Sequence, residues 1–175
     1  AQQFESILKP LRRKYKVGLF GPAWTWSDNG KRVIQRACYK AGLQHLGNAV
    51  NARRIAVPME IERVYYSSSA VSVNFHEREP DGSQPHYIVN QRAFKIAACG
   101  GLEISDNVPA MRKYFAEDEV LLATSPNEWF EKVSYYVEHP EESEQIRRRA
   151  AERAARDHTY HVRVQQILDL RSQCQ

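Results

Sequence analysis

Two cations in the stretch Asn90-Gln-Arg-Ala-Phe-Lys-Ile-Ala-Ala-Cys-Gly100 are spaced so that one helical face would carry both. Arg92 and Lys95 stand at i and i+3, with Cys99 at i+7. Near the start of a helix such a pair binds phosphate oxygens, and the unpaired N–H groups of the first turn add to the attraction. Arg92 is the leading candidate. Its guanidinium offers a planar donor fork that suits phosphate oxygens. The same spacing also describes a surface helix with solvated Arg and Lys, or Arg92 paired to a carboxylate such as Glu77. Gly100 and Gly101 close the stretch. They permit backbone to approach a ligand, or they form a tight helix-to-strand turn, the reading that glycine pairs favour.

Asn74 and His76 stand at the end of the apolar run Val71-Ser-Val-Asn-Phe75, which reads as a strand. Asn74 could hydrogen-bond a ligand and His76 could position a phosphate or a sugar; a polar strand end is the plainer alternative. His76 with Glu77, Asp81 and His86 matches no established ligand spacing, so no metal site is expected there. Trp24 and Trp26 could stack on a base or sugar, or be covered by another domain. His158, Thr159 and Tyr160 are expected to cap and pack the last helix. Cys99 has no base nearby and reads as a small packing residue.

Taken in order, these segments resemble the CgeB-like glycosyltransferases, a spore-maturation and phage-associated branch of the group 1 glycosyltransferases. Their pattern N-x-R-x-F-E-x-x-A-C-G-G, followed by a strand and Ser/Thr-Asp, is matched by Asn90, Arg92, Phe94, Ala98, Cys99, Gly100, Gly101, Ser105 and Asp106. Upstream, Glu62 to Asn74 is similar to another family segment; downstream, Tyr135 to Glu141 and His158 to Tyr160 follow suit. The likeness covers about residues 53 to 170. It implies the nucleotide-sugar-binding half of a GT-B enzyme, a Rossmann-like parallel sheet with helices on both faces. It also implies metal-independent transfer, without cofactor, from a nucleotide-diphosphate sugar to a hydroxyl acceptor. Asn74, His76, Asn90, Arg92, Lys95, Gly100 and Gly101 would bind the donor, with Arg92 also catalytic. The base and acceptor site would lie on an N-terminal half-domain. One departure stands out: Lys95 replaces the family's glutamate, and an amine cannot accept hydrogen bonds from ribose hydroxyls. That favours, as an alternative, a non-catalytic binding or structural domain that has lost donor chemistry.

These residues need a scaffold, and 175 residues suit a single domain over 1–175 with a real core, or a C-terminal fragment of a two-domain enzyme. Hydrophobic content of 42% and charged content of 26% are ordinary for a globular protein. No apolar run is long enough for a membrane helix and no signal peptide is visible. Three scattered cysteines without C-x-x-C spacing fit a reducing cytoplasm. The net charge of +4 gathers in Lys9–Lys16 and Arg147–Arg156. Each is read as a solvated helical face, and nucleic acid is not expected as a partner without a reading motif.

Apolar periodicity and turn signals predict a helix over 3–14 and a strand over 17–20. A loop over 23–30 and a helix over 32–41 follow. Next come a strand over 54–57, a helix over 59–66, a strand over 71–75 and a loop over 76–86. After the signature helix, strands are expected at 102–105 and 120–123, with a short helix over 108–115 between them. Ser125-Pro-Asn-Glu128 is a capping box that starts another helix. Pro140 breaks it, and helices over 141–156 and 160–172 complete the chain.

Overall fold

The computed structural model describes residues 4–19, 26–52, 59–77 and 88–173. The chain divides into two compact units, Ala1–Glu62 and Arg63–Gln175, and each is described by itself.

In the first unit a π-type turn, Phe4–Leu8, runs into helix α1, Lys9–Lys14, with Pro10 in its first turn. A proline there loses no hydrogen bond, because those N–H groups have no helical partner. Residues 16–19 form no strand, which corrects the expectation over 17–20 as far as those residues reach. Helix α2 spans Trp26–Lys40 and α3 spans Gln44–Ala52. Trp26 to Gly30 is therefore helical rather than loop. The two helices pack against each other and are joined through Gly42 at φ 74°, a left-handed turn that glycine adopts without penalty. Tyr39 Oη donates to Asn48 Oδ1 across the pair at 2.8 Å. Trp24, and the strand expected over 54–57, lie outside the described residues.

Helix α4, Met59–Ser68, crosses the division and leads into the second unit. There β1 (Ser72–Asn74), β2 (Glu103–Asp106) and β3 (Leu121–Ala123) form a parallel sheet in that order. Ser72 pairs with Glu103, Asn74 with Ser105, and Asp106 with Ala123. Helices α5 (Gln91–Ala98), α6 (Pro126–Glu138) and α7 (Pro140–Asp157) flank it, and α8 (Tyr160–Gln173) ends the chain. A short 3-10 turn, Pro109–Lys113, connects β2 toward β3. This is the expected α/β, Rossmann-like fold. All four residues of β2 are buried, so both faces of the central strand are covered.

Local chemistry explains the boundaries. Asn90 caps α5, its Oδ1 accepting the Ala93 N–H at 3.3 Å. Ser125 caps α6 by accepting the Glu128 N–H. Pro140 separates α6 from α7 as expected, standing in the first turn of α7. The core joins α5 and α7 through Ala93, Ala97, Ala150 and Ala154, small residues that let the two backbones approach. Met111, Phe115 and Val120 complete it. His158 packs beside Phe94, Tyr114 and Phe115, while the Thr159 hydroxyl accepts the Val162 N–H, so both residues cap and pack as expected. Arg147 is no solvated cation: its guanidinium donates to the carbonyls of Ser69, Ala70 and Gly100.

Candidate functional site

Helix α5 runs back along β1 and β2, so its first turn meets the carboxyl end of β1. Asn74 is the last residue of that strand and fully buried. Its side chain is the hub of a polar cluster. Nδ2 donates to Glu103 Oε1 at 2.8 Å and to Asn90 Oδ1 at 3.1 Å. Oδ1 accepts from Asn90 Nδ2 at 3.0 Å and from Arg92 Nη1 at 3.1 Å. Asn90 Nδ2 also reaches the Phe75 carbonyl. One amide thus holds the helix cap, the guanidinium and a buried carboxyl together, and every polar atom it has is used.

Glu103 lies on the same face of the sheet as Asn74, because alternate residues of a strand share a face. It is 1% exposed, a costly place for a charge. Burial pushes its carboxyl up to about 7; the Asn74 hydrogen bond and then the Arg92 charge pull the other way, and Asp106 adds to the rise. Asp106, at the end of β2, receives the chain that leaves β1. Its carboxylate accepts the His76 backbone N–H at 3.1 and 3.2 Å, and its Oδ1 lies 2.7 Å from His76 Nδ1. Ser105 Oγ stands 3.4 Å from the same nitrogen.

The structure therefore brings together four of the residues singled out from sequence: Asn74, His76, Asn90 and Arg92. They gather at the carboxyl edge of a parallel sheet, where open α/β sheets take their ligands. Arg92 is exposed, and its guanidinium donates to the Asn74 amide rather than to Glu77. Lys95 sits one turn farther along α5 and is half-buried. Gly100 and Gly101 are at the opposite end of that helix. Gly100 has φ 68°, and the Gly100 and Gly101 N–H groups return to Ala97 and Ile96 carbonyls, a Schellman ending. A Cβ on Gly101 would stand 2.9 Å from the Tyr66 carbonyl and from Ile96 Cγ2. The pair makes the turn into β2 and stands at the opposite end of α5 from Asn90 and Arg92.

Glu103 escaped the sequence reading, although a carboxylate between Leu102 and Ile104 in a buried strand was the signal available. Asp106 was noticed as a strand end, but its hold on His76 spans thirty residues of chain. Asp81 and His86 lie outside the described residues. Among those described, His139, Glu141 and Glu142 bring ligand atoms within 4.8 Å of one another, but all three are exposed and far along the chain from the cluster. No helix among the described residues is long and apolar enough to cross a membrane.

No curated protein and no solved structure matches the chain. A family does: residues 2–169 match the family described as glycosyl transferase-like. The match extends over almost the whole sequence, and the parallel α/β sheet agrees with it; the chain belongs to the glycosyl transferase-like family.

Proposed function

We propose that this chain is the donor-binding half of a glycosyltransferase, holding a nucleotide-diphosphate sugar at the carboxyl edge of its sheet. The observation that carries the reading is the Asn74–Asn90–Arg92 cluster at the start of α5. Arg92 is an exposed residue anchored at Nη1, so the guanidinium is oriented while donors remain for phosphate oxygens. The N-terminal end of α5 adds its dipole. Arg92 would then stabilise the charge that develops on the departing nucleoside diphosphate, which lets transfer proceed without a metal. Asn90 acts by fixing this geometry, Asn74 by holding Arg92, and Lys95 adds positive charge farther along the helix. Gly100 and Gly101 serve as the turn that sets the helix against the sheet. The acceptor, a hydroxyl compound, and the residues that activate it belong to an N-terminal half-domain, and the protein works in the cytoplasm.

Calorimetric titration with UDP-, GDP-, ADP- and TDP-sugars tests this. Saturable binding of one of them is expected, weakened at least tenfold by Arg92→Ala, since a charge-assisted hydrogen bond contributes about 1.5–3 kcal/mol. Affinity that survives the substitution speaks for the second reading, a domain that kept the fold and lost donor chemistry. Lys95, where a carboxylate would accept ribose hydroxyls, is the residue that favours it.

A further inference from the structure

Among the described residues two buried side-chain atoms lack a hydrogen-bond partner, His76 Nε2 and Glu103 Oε2. His76 follows β1 at the carboxyl edge of the sheet, whereas Glu103 opens β2 and joins the cluster only through its hydrogen bond with Asn74. The His76 imidazole is 1% exposed and held on one side only. Its Nδ1 faces Asp106 Oδ1 at 2.7 Å, and the same carboxylate grips the His76 backbone N–H. An ionised carboxylate only accepts, so it fixes the proton on Nδ1. With Nδ1 turned to Asp106, Nε2 is the ring nitrogen left over, on the side away from that carboxylate and without a partner. Ser105 Oγ approaches Nδ1 and does not serve Nε2. The double hold on ring and backbone prevents the ring from turning to relieve the orphan atom.

We infer that His76 Nε2 accepts a hydrogen bond from a hydroxyl group of the bound donor, with Asp106 as the positioning residue that sets its tautomer. The inference rests on the donor-binding reading above and gives it a second contact of opposite polarity. Arg92 supplies hydrogen-bond donors, which suit phosphate oxygens; His76 supplies an acceptor, which phosphate oxygens would repel and a sugar hydroxyl satisfies. The hydroxyl can belong to the ribose or to the transferred sugar, and the probes below separate the two.

Titrations would use inorganic pyrophosphate, which has no hydroxyl, then the nucleoside diphosphates UDP, GDP, ADP and TDP, then their glucose conjugates. His76→Asn retains an amide donor toward Asp106 and removes Nε2. It should weaken the preferred glucose conjugate about five- to tenfold while leaving pyrophosphate unchanged. A loss shared by the nucleoside diphosphate assigns the ribose; a loss confined to the conjugate assigns the transferred sugar. His76→Gln, whose amide oxygen lies near the Nε2 position, should recover part of the affinity. Equal loss for pyrophosphate, or no loss for any probe, overturns the inference. Imidazole nitrogen spectra of the wild-type chain give the same answer without a substitution. The unprotonated Nε2 resonance should move when the conjugate is added and stay in place with pyrophosphate; the reverse overturns the proposal. If the wild-type chain binds no probe, the donor-binding reading falls and this one with it. If the wild type binds and the His76 variants bind equally well, only this one falls.

Discussion

At Glu103 burial and charge pull in opposite directions. Dehydration favours the neutral acid, while Asn74 and Arg92 favour the carboxylate, and the outcome is a carboxyl raised from 4.5 to about 7. A group whose pKa rises on folding contributes stability that is whole below the unfolded value and is lost as pH climbs through the folded one. The chain should therefore weaken as pH rises from about 4.5 to beyond 7, by at most about 3 kcal/mol from this residue. Glu103→Gln keeps an acceptor for the Asn74 amide and removes the titration. Urea melts at pH 5 and pH 8.5 are expected to show a smaller drop in the variant than in the wild type. An equal drop in both would mean that Glu103 ionises freely in the folded chain.

Helix α5 carries chemistry at one end and a turn at the other, and its two glycines test the turn in different ways. Gly100 sits at positive φ with open space around the missing Cβ, so Gly100→Ala is expected to cost about 1 kcal/mol of conformational strain. Gly101→Ala would drive a methyl against the Tyr66 carbonyl and Ile96, and about 1–3 kcal/mol is expected. Thermal melts check both. If the pair instead forms part of a ligand cradle, donor affinity falls before stability does. Elements with strong local signals were legible in the sequence. Ser125-Pro126 announced α6, the Gly-Gly pair announced the end of α5, and three of the expected strands stand close to their predicted places. Val17 to Leu19 misled because a short apolar run carries no period, and a strand needs a partner that local residues do not reveal. Trp26-Ser-Asp-Asn-Gly30 has turn composition yet lies in a helix, tertiary context outweighing propensity. Within the site, the motif residues were legible through resemblance. The Glu103–Asn74 and Asp106–His76 bonds were not, since each joins residues about thirty positions apart.

For the whole molecule, the basic balance has a structural account in its second cluster. Arg147 is spent on three carbonyls, Arg149 pairs with Asp118, and Arg153 with Glu119 and Asp157. The bonds to the carbonyls, Asp118 and Glu119 brace α7 against the rest of its unit. The same scale bears on turnover. If the acceptor-activating groups lie on a separate half-domain, the 175-residue chain should bind its donor without consuming it. A coupled assay for released nucleoside diphosphate should then read no faster than the protein-free blank under conditions where calorimetry shows saturation. Rapid release would place the missing catalytic groups within these residues.

Asn90 narrows what can change at its position. Serine, threonine, aspartate and asparagine all begin helices well. Only the last can also give N–H groups to a neighbouring carbonyl and to the Asn74 oxygen. An ordinarily interchangeable start signal has thus become a single permitted letter. A substitution library at residue 90 would return the same winner whether screened for heat resistance or for ligand capture.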